Sequence, residues 1–179
     1  MRTEPRLLPE IDGFPGWSWR ALKHEDLPLA WPLARLAGVA PDLGGWLTLA
    51  GRWLARAAVE GGGLGALVNP GGLVVGLERH RPLVVEDVPT LLVDWHRTLE
   101  VTPSPRCLEA LVAAARALAR RSGYLAVELA GETGGSERFA ALAVRLGLVE
   151  RGGRWRCELD SATPDPARAR PWHAARPAG

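Results

Sequence analysis

Residues 91–130 read LLVDWHRTLEVTPSPRCLEALVAAARALARRSGYLAVELA, and this stretch decides the fold prediction. Its first part, 91–101, predicts a long strand. Ser104 suits the N-cap of a helix and Pro105 suits the first helical position. Apolar residues then recur at helical spacing until Gly123, which predicts the end of the helix. With Tyr124–Ala130 as the next strand, the stretch predicts strand, helix and strand in succession.

The preceding residues predict a strand, two helices and a hairpin. Their predicted ranges are 16–22 for the strand, 27–36 and 42–59 for the helices, and 64–69 with 73–80 for the hairpin. The glycine-rich residues 61–65 lead from a helix into a strand, which is the reverse of the order in a dinucleotide-binding loop. They are therefore interpreted as a flexible connection.

After the central stretch the sequence predicts one more helix and a final hairpin. The helix covers Ser136–Leu146 and is closed by Gly147, and the hairpin strands are Leu148–Arg151 and Arg154–Leu159. The predicted domain organisation is an N-terminal arm at 1–15, one domain at 16–159 and a disordered tail rich in proline, arginine and alanine at 160–179.

Charge and cysteine content exclude several classes of protein. The 22 basic residues, one lysine and otherwise arginines, are offset by 20 acidic ones, so the net charge is only +2. A strongly basic nucleic-acid binder is therefore not expected. Cys107 and Cys157 are far apart and form no metal-type pair, so we expect no metal and a reduced, cytoplasmic location. No signal-peptide core or membrane-length apolar run is present, and no membrane partner is expected.

The order of the predicted elements resembles that of the GNAT acyltransferase superfamily. Residues 108–130 are similar to its central helix and fifth strand, 136–150 to its last helix, and 17–36 to its opening strand and helix. The resemblance implies an α/β fold with a mixed, mostly antiparallel sheet flanked by helices, in which the fourth and fifth strands are splayed. It also implies acetyl-CoA or another acyl-CoA as co-substrate. The acceptor would be a small-molecule amine or a protein N-terminus or side-chain amine, and the protein a monomer or homodimer.

The loop that binds pyrophosphate in that family departs from the family pattern here. The family has Arg/Gln-x-x-Gly-x-Gly/Ala before the central helix, whereas residues 101–108 contain no glycine. Pro103 and Pro105 have no N–H group to offer a phosphate. What remains is the positive end of the helix and the Arg106 guanidinium. The cofactor-binding prediction is accordingly Val101, Arg106, Cys107 and Leu108, and the alternative interpretation is a helix start that is merely well capped.

The last helix lacks the family's usual proton donor. The position of the common tyrosine is Ala143, and that of the usual asparagine is Ser136. Neither residue can transfer the tyrosine's proton. Two functions therefore stay open: direct attack of a primary amine on the thioester without this acid, or a catalytically silent module that binds a ligand or a protein.

Candidate catalytic residues lie on the long strand. Simple alternation predicts that one face carries Asp94, His96, Thr98 and Glu100, and that the other carries Val93, Trp95, Leu99 and Val101. Since members of the family often draw a general base from this strand, Glu100 and His96 are the predicted bases. The alternative is that this face is only the polar side of a strand.

The tryptophans supply the prediction for the substrate pocket. The first strand and two helices shape the acceptor pocket in this fold, and Trp31, Trp46 and Trp53 lie in the two helices. We expect at least one of the three to line a functional pocket.

Overall fold

The computed structural model describes residues 10–99, 105–130 and 137–159. Within these ranges the chain forms strands and helices in the predicted order. The strands are β1 Glu10–Ile11, β2 Phe14–Ala21, β3 Gly63–Val68, β4 Val74–Val85, β5 Val88–Thr98, β6 Ala126–Ala130, β7 Val149–Arg151 and β8 Arg154–Glu158. The helices are α1 Leu27–Leu36, preceded by a 3-10 turn at His24–Asp26, then α2 Leu43–Glu60, α3 Arg106–Arg121 and α4 Glu137–Arg145.

The strands form one sheet in the order β1-β2-β3-β4-β5-β6-β8-β7. Only β5 and β6 pair in parallel, as expected for two strands joined by a helix, and the other neighbours are antiparallel. The predicted mixed, mostly antiparallel sheet is thus confirmed. Because β1 pairs with β2, residues 10–15 belong to the sheet rather than to the predicted arm. Residues 160–179, the predicted tail, lie outside the described part of the chain.

The core lies on both faces of the sheet. One cluster packs α3 and α4 against the sheet and includes Leu111 of α3 and Phe139 of α4. The other packs α1 and α2 on the opposite face. There Trp46 of α2 is fully buried, and its indole Nε1 donates a hydrogen bond to the Leu27 carbonyl oxygen at 2.7 Å. No helix in the described ranges has the length and apolar content needed to cross a membrane.

Specific residues cap both ends of α2 and the start of α3. The Asp42 carboxylate accepts the Gly45 N–H at 2.7 Å and caps α2, and Gly61 ends that helix with a φ of 84°. In α3 the N-cap is Pro105, with a ψ of 36°, and its carbonyl accepts the N–H of Glu109. The prediction of Pro105 as the first helical residue was therefore wrong by one position, because the first intrahelical bond starts there. Ser104 lies outside the described residues.

The glycines before and within β3 allow its neighbours to approach closely. A Cβ at Gly65 would collide with the Trp19 indole, and one at Gly62 would collide with the His80 carbonyl oxygen. At Gly63 a Cβ would lie 2.9 Å from His80 Nε2. The interpretation of residues 61–65 as a flexible connection was wrong for Gly63 and Gly65, which are strand residues covered by aromatic rings.

Candidate functional site

A β-bulge interrupts β5 at Asp94. Arg79 of β4 lies opposite Trp95 and His80 lies opposite Val93, so Asp94 is an extra residue on β5. Val93 packs with α3 and α4, whereas Trp95 contacts Trp53 of α2, with ring centroids 5.1 Å apart. The bulge therefore reverses the alternation of faces along the rest of the strand.

This bulge overturns the predicted faces of the strand. Asp94 lines a cavity on the α2 face, but the His96 ring stacks on Phe139 of α4, with centroids 5.5 Å apart. Asp94 and His96 are thus on opposite faces, and Trp95 shares the face of Asp94. The prediction assumed strict alternation, which one inserted residue breaks.

The pairing of β5 with β6 stops at the same place. Thr90–Val93 pair with Ala126–Leu129, while residues 94–98 continue β5 without a paired residue on β6. Among the described residues, β6 runs one residue further to Ala130, which pairs with β8 alone, so the parallel ladder ends before Asp94. The edge of residues 94–98 toward β6 is called the β5–β6 opening. The start of α3 is close to the far end of this opening, because the Cys107 thiol donates a hydrogen bond to the Leu99 carbonyl oxygen at 3.2 Å.

A cavity of about 350 Å³ opens on the α2 face beside the bulge. Its wall consists of the last turns of α2, the residue before β3, and the middle of β4 and β5. The lining residues are Trp53, Arg56, Ala57, Glu60, Gly62, Arg79, His80, Arg81 and Asp94. Three arginines and two carboxylates make this wall charged on most sides.

Asp94 binds the two arginines of β4 through separate oxygens. Its Oδ1 accepts from Arg79 Nε at 2.7 Å, and its Oδ2 accepts from Arg81 Nε at 3.0 Å. The Arg79 guanidinium carbon also lies 4.9 Å from the centroid of the Trp53 ring, which is a cation–π contact. Two contacts of different kinds therefore fix the orientation of Arg79.

Glu78 and His80, on either side of Arg79 in β4, belong to a buried polar cluster. The carboxylate of Glu78, 1% exposed, accepts the Trp19 indole N–H at 2.9 Å and lies 3.1 Å from His80 Nδ1. Its second oxygen, Oε2, has no hydrogen-bond partner among the described residues. The Trp19 and His80 rings are in contact, with centroids 5.8 Å apart. This cluster fixes β4 behind the two arginines of the cavity.

His96, one of the two predicted bases, does not line the cavity. His96 is 2% exposed and belongs to an aromatic stack in which Phe139 also contacts Trp155 of β8 edge-on, at 6.1 Å. Glu100, the other predicted base, and Val101, a predicted cofactor contact, lie outside the described residues.

The described residues of the cofactor prediction lie together in the first turn of α3. Arg106 is exposed, and no ion pair joins it to another described residue. Cys107 and Leu108 are buried in the cluster between α3 and the sheet. Cys107 therefore acts as a packing residue that ties the helix to the end of β5. At the position of the family's tyrosine, Ala143 is also buried.

Of the three predicted pocket tryptophans, Trp53 lines the cavity. Trp46 is buried beneath it, with ring centroids 6.3 Å apart, and Trp31 packs half-buried against the α1–α2 cluster. Trp53 is thus placed between the core and the cavity.

A second charged network lies on β6 and β8. Arg156 donates to Glu128, Glu158 and Thr90, and it is 3% exposed. Burial alone lowers the pKa of Arg156, but the hydrogen bonds and charges of Glu158 and Glu128 outweigh this effect and raise the pKa above its ordinary value. The network is internally satisfied and structural. Within the described ranges, no cluster of three His, Cys, Asp or Glu residues could hold a metal ion.

The arginines of the cavity were not predicted from the sequence. One signal was present: β4 contains four consecutive polar residues, Glu78–Arg81, and its other residues are apolar. Such a run in a central strand needs partners, and Asp94 and Trp19 supply them.

Comparison with solved structures identifies the fold. The ribosomal-protein-S5-alanine acetyltransferase of Vibrio fischeri superposes with a TM-score of 0.59 at 11% identity, over 85% of this chain and 98% of that one. A Trypanosoma brucei acetyltransferase gives 0.55 at 16%, over 75% and 94%. The GNAT family N-acetyltransferase YhbS of Escherichia coli, in complex with CoA, gives 0.53 at 17%, over 90% and 87%.

The chain therefore has the fold of the GNAT acetyltransferases. No protein-family model matches its sequence, and no curated protein does either. At these low identities the likeness lies in the order and arrangement of the elements, so the chemistry has to be argued from the residues.

Proposed function

We propose that this protein is a divergent GNAT-superfamily enzyme that transfers an acyl group from acyl-CoA to a primary amine. The observation that carries the proposal is the end of the β5–β6 pairing at the Asp94 bulge, with the start of α3 at the far end of the opening. A neighbour of the same fold, YhbS, has been solved with CoA bound.

The opening suits an extended ligand with amide groups. Residues 94–98 of β5 are not paired with any described residue of β6. The N–H and C=O groups on that edge of the strand can therefore form hydrogen bonds with the amides of a pantetheine arm. At the end of the strand, the α3 dipole and the exposed Arg106 favour a phosphate. Backbone N–H groups of Cys107 and Leu108 at the start of α3, together with Val101, complete the proposed cofactor contacts.

The proposed reaction needs no covalent enzyme intermediate. The neutral amine attacks the thioester carbonyl carbon, a C–N bond forms, the C–S bond breaks, and the CoA thiolate leaves. The amine's proton passes to a base and the thiolate takes one up, so the products are an amide and free CoA. Holding both substrates in position and stabilising the developing oxyanion supply most of the acceleration in such a site.

The proton acceptor is open to a direct test. His96 and Glu100 stay the predicted bases, and the carboxylates that line the described cavity are Asp94 and Glu60. If His96 is the base, His96→Gln lowers kcat at least tenfold and changes the pH profile of kcat. A fall of activity with an unchanged pH profile would assign His96 to packing on Phe139 instead.

Calorimetric titration of the purified protein with CoA and acetyl-CoA tests the cofactor. We expect binding that weakens about tenfold in Arg106→Gln, since one charge-assisted phosphate contact is lost. Arg120→Gln is the matched control, because Arg120 is an exposed arginine at the opposite end of the same helix. No binding at millimolar acetyl-CoA would overturn the proposal.

The second candidate is a catalytically silent module that binds its ligand without acyl transfer. Two observations favour it: Ala143 is a buried packing residue where the family has its acid, and residues 101–108 contain no glycine. Binding of acetyl-CoA without an acetylated product, across a panel of primary amines, would select this candidate.

A further inference from the structure

We propose that the cavity beside Asp94 binds an anionic group, a carboxylate or a phosphate, carried by the acceptor amine. This inference rests on the proposed acyl-transfer function and adds the chemical class of the acceptor. It comes from the donors that the cavity arginines leave available, from the charge of the wall, and from the place of the cavity beside the β5–β6 opening.

The arginines of the cavity retain most of their hydrogen-bond donors. A guanidinium has five N–H donors, and both Arg79 and Arg81 bind Asp94 through Nε alone. Their side chains are 31% and 41% exposed, so their terminal Nη groups can reach a ligand. Arg56 is exposed, and no ion pair links it to another described residue. Planar guanidinium donors of this kind suit carboxylate and phosphate oxygens.

The wall is arranged to attract an anion. Three arginines face two carboxylates, which leaves an excess of one positive charge. Asp94 is already engaged with two of the arginines, and Arg79 is held in place over Trp53. A site whose donors are fixed before binding loses little entropy when a ligand arrives. Polycationic amines, by contrast, would be repelled by the same arginines.

The cavity is also in the right place for an acceptor. Asp94 belongs to its wall and is the first residue of β5 beyond the pairing with β6. Under the proposed function the thioester lies in that opening, so a small ligand whose anion binds the arginines has its amine near the carbonyl carbon. The carboxylate of Glu60, on the same wall, suits the cationic form of that amine.

Matched pairs of acceptors test the inference. Acetyl transfer is measured with β-alanine against β-alaninamide and with O-phosphoethanolamine against ethanolamine, because each pair differs mainly in the anionic group. We expect kcat/KM to be at least tenfold higher for the anionic member, through a lower KM. Equal values within each pair, or a preference for ethanolamine or spermidine, would overturn the inference.

Variants connect that preference to the arginines. Arg56→Gln and Arg81→Gln should each lower the preference for the anionic member of a pair at least threefold. Arg56 is the safer position for folding, since it is exposed and outside the Asp94 pairs. Arg52→Gln, one turn earlier on α2 and outside the cavity wall, is the matched control. A preference that survives both substitutions contradicts the assignment.

Separate measurements distinguish failure of the inference from failure of the proposed function. Calorimetry with O-phosphoethanolamine alone should show binding that weakens in Arg56→Gln and in raised salt, whether or not acetyl-CoA binds. Absence of binding at millimolar O-phosphoethanolamine overturns the anion site. With ethanolamine as acceptor, succinyl-CoA is compared with acetyl-CoA. A tenfold preference for succinyl-CoA would place the anion on the acyl group and overturn the acceptor assignment.

Discussion

The two faces of β5 differ in what they contact, because a single bulge places Asp94 on one face and His96 on the other. On the α2 face, Asp94 pairs with two partly exposed arginines at the wall of a cavity. On the α3–α4 face, the buried rings of His96 and Phe139 stack, and the half-buried Trp155 contacts Phe139 edge-on. The inserted residue places one of the two carboxylates of the cavity, Asp94, on the α2 face and turns the His96 imidazole into the core. The packed second face holds the strand in place, and the first face is therefore available for ligand binding.

The largest effect is expected from breaking the aromatic face. Phe139→Ala should lower the free energy of unfolding by about 3–5 kcal/mol, because it leaves a cavity between His96 and Trp155. Urea denaturation measures the change. Val144→Ala, on the exposed side of the same helix, should stay within about 0.5 kcal/mol. A loss below about 1 kcal/mol in Phe139→Ala would mean that this face is not a packed core.

A somewhat smaller loss is expected from adding one methyl group under Trp19. Gly65→Ala places a Cβ against the indole that donates to Glu78, and overpacking of this kind costs about 1–3 kcal/mol. Gly51→Ala in α2 is the control, because its Cβ meets only ordinary contacts and removes a helical glycine. Gly51→Ala should be neutral or stabilising by up to about 1 kcal/mol. Equal effects of the two substitutions would show that Gly65 is not a close-approach position.

On the cavity face, a substitution should change ligand affinity more than it changes the free energy of unfolding. Asp94→Asn removes two ion pairs with partly exposed arginines, which together contribute about 1 kcal/mol to the unfolding free energy. The same change frees Arg79 and Arg81, so the affinity for O-phosphoethanolamine should rise about threefold or more. Calorimetry and urea denaturation of the same preparation give both numbers. Weaker anion binding in Asp94→Asn would mean that Asp94 arranges the arginines rather than competing for them.

The smallest effect on stability is expected from the ionisation of Tyr124 at alkaline pH. Tyr124 is the one tyrosine of the chain and packs against the α3–α4 cluster. Burial raises the pKa of its phenol above the ordinary 10.0. The unfolded chain therefore ionises first, so this contribution to stability is complete below pH 10.0 and is lost as the pH rises through the folded pKa. Phenolate absorbance in a pH titration should show the delayed ionisation. Tyr124→Phe should remove this alkaline loss of stability, and an ordinary pKa would contradict the expected burial.

Local signals in the sequence predicted much of the fold. Asp42 and Gly61 mark the two ends of α2 in the sequence, and they cap it in the structure. The prediction ended this strand at His80, so its extension to Val85 was missed. β3 pairs with β4 only as far as His80, so β4 runs on beyond it with β5 alone, and there a proline is tolerated.

The candidate site was harder to predict for a physical reason. The bulge at Asp94 has no glycine or proline to mark it, and its position depends on contacts with a strand far away in sequence. Trp53 was predicted as a pocket residue from its helix alone. Arg79 and Arg81 form a site only because they contact Asp94 on β5 and, for Arg79, Trp53 on α2. These contacts join residues from different segments, so the pattern of any one segment does not predict them.

The exposed position of Arg56 at the end of α2 has an evolutionary consequence. Arg56 and Glu60 face the cavity from outside the core, so replacing either one changes the charge of the wall at almost no cost to folding. Arg79 contacts both Trp53 and Asp94, so a substitution of any one of the three residues requires compensating substitutions of the others. Ligand preference can therefore drift by single substitutions on one turn of helix, while the fold around it stays under strong selection.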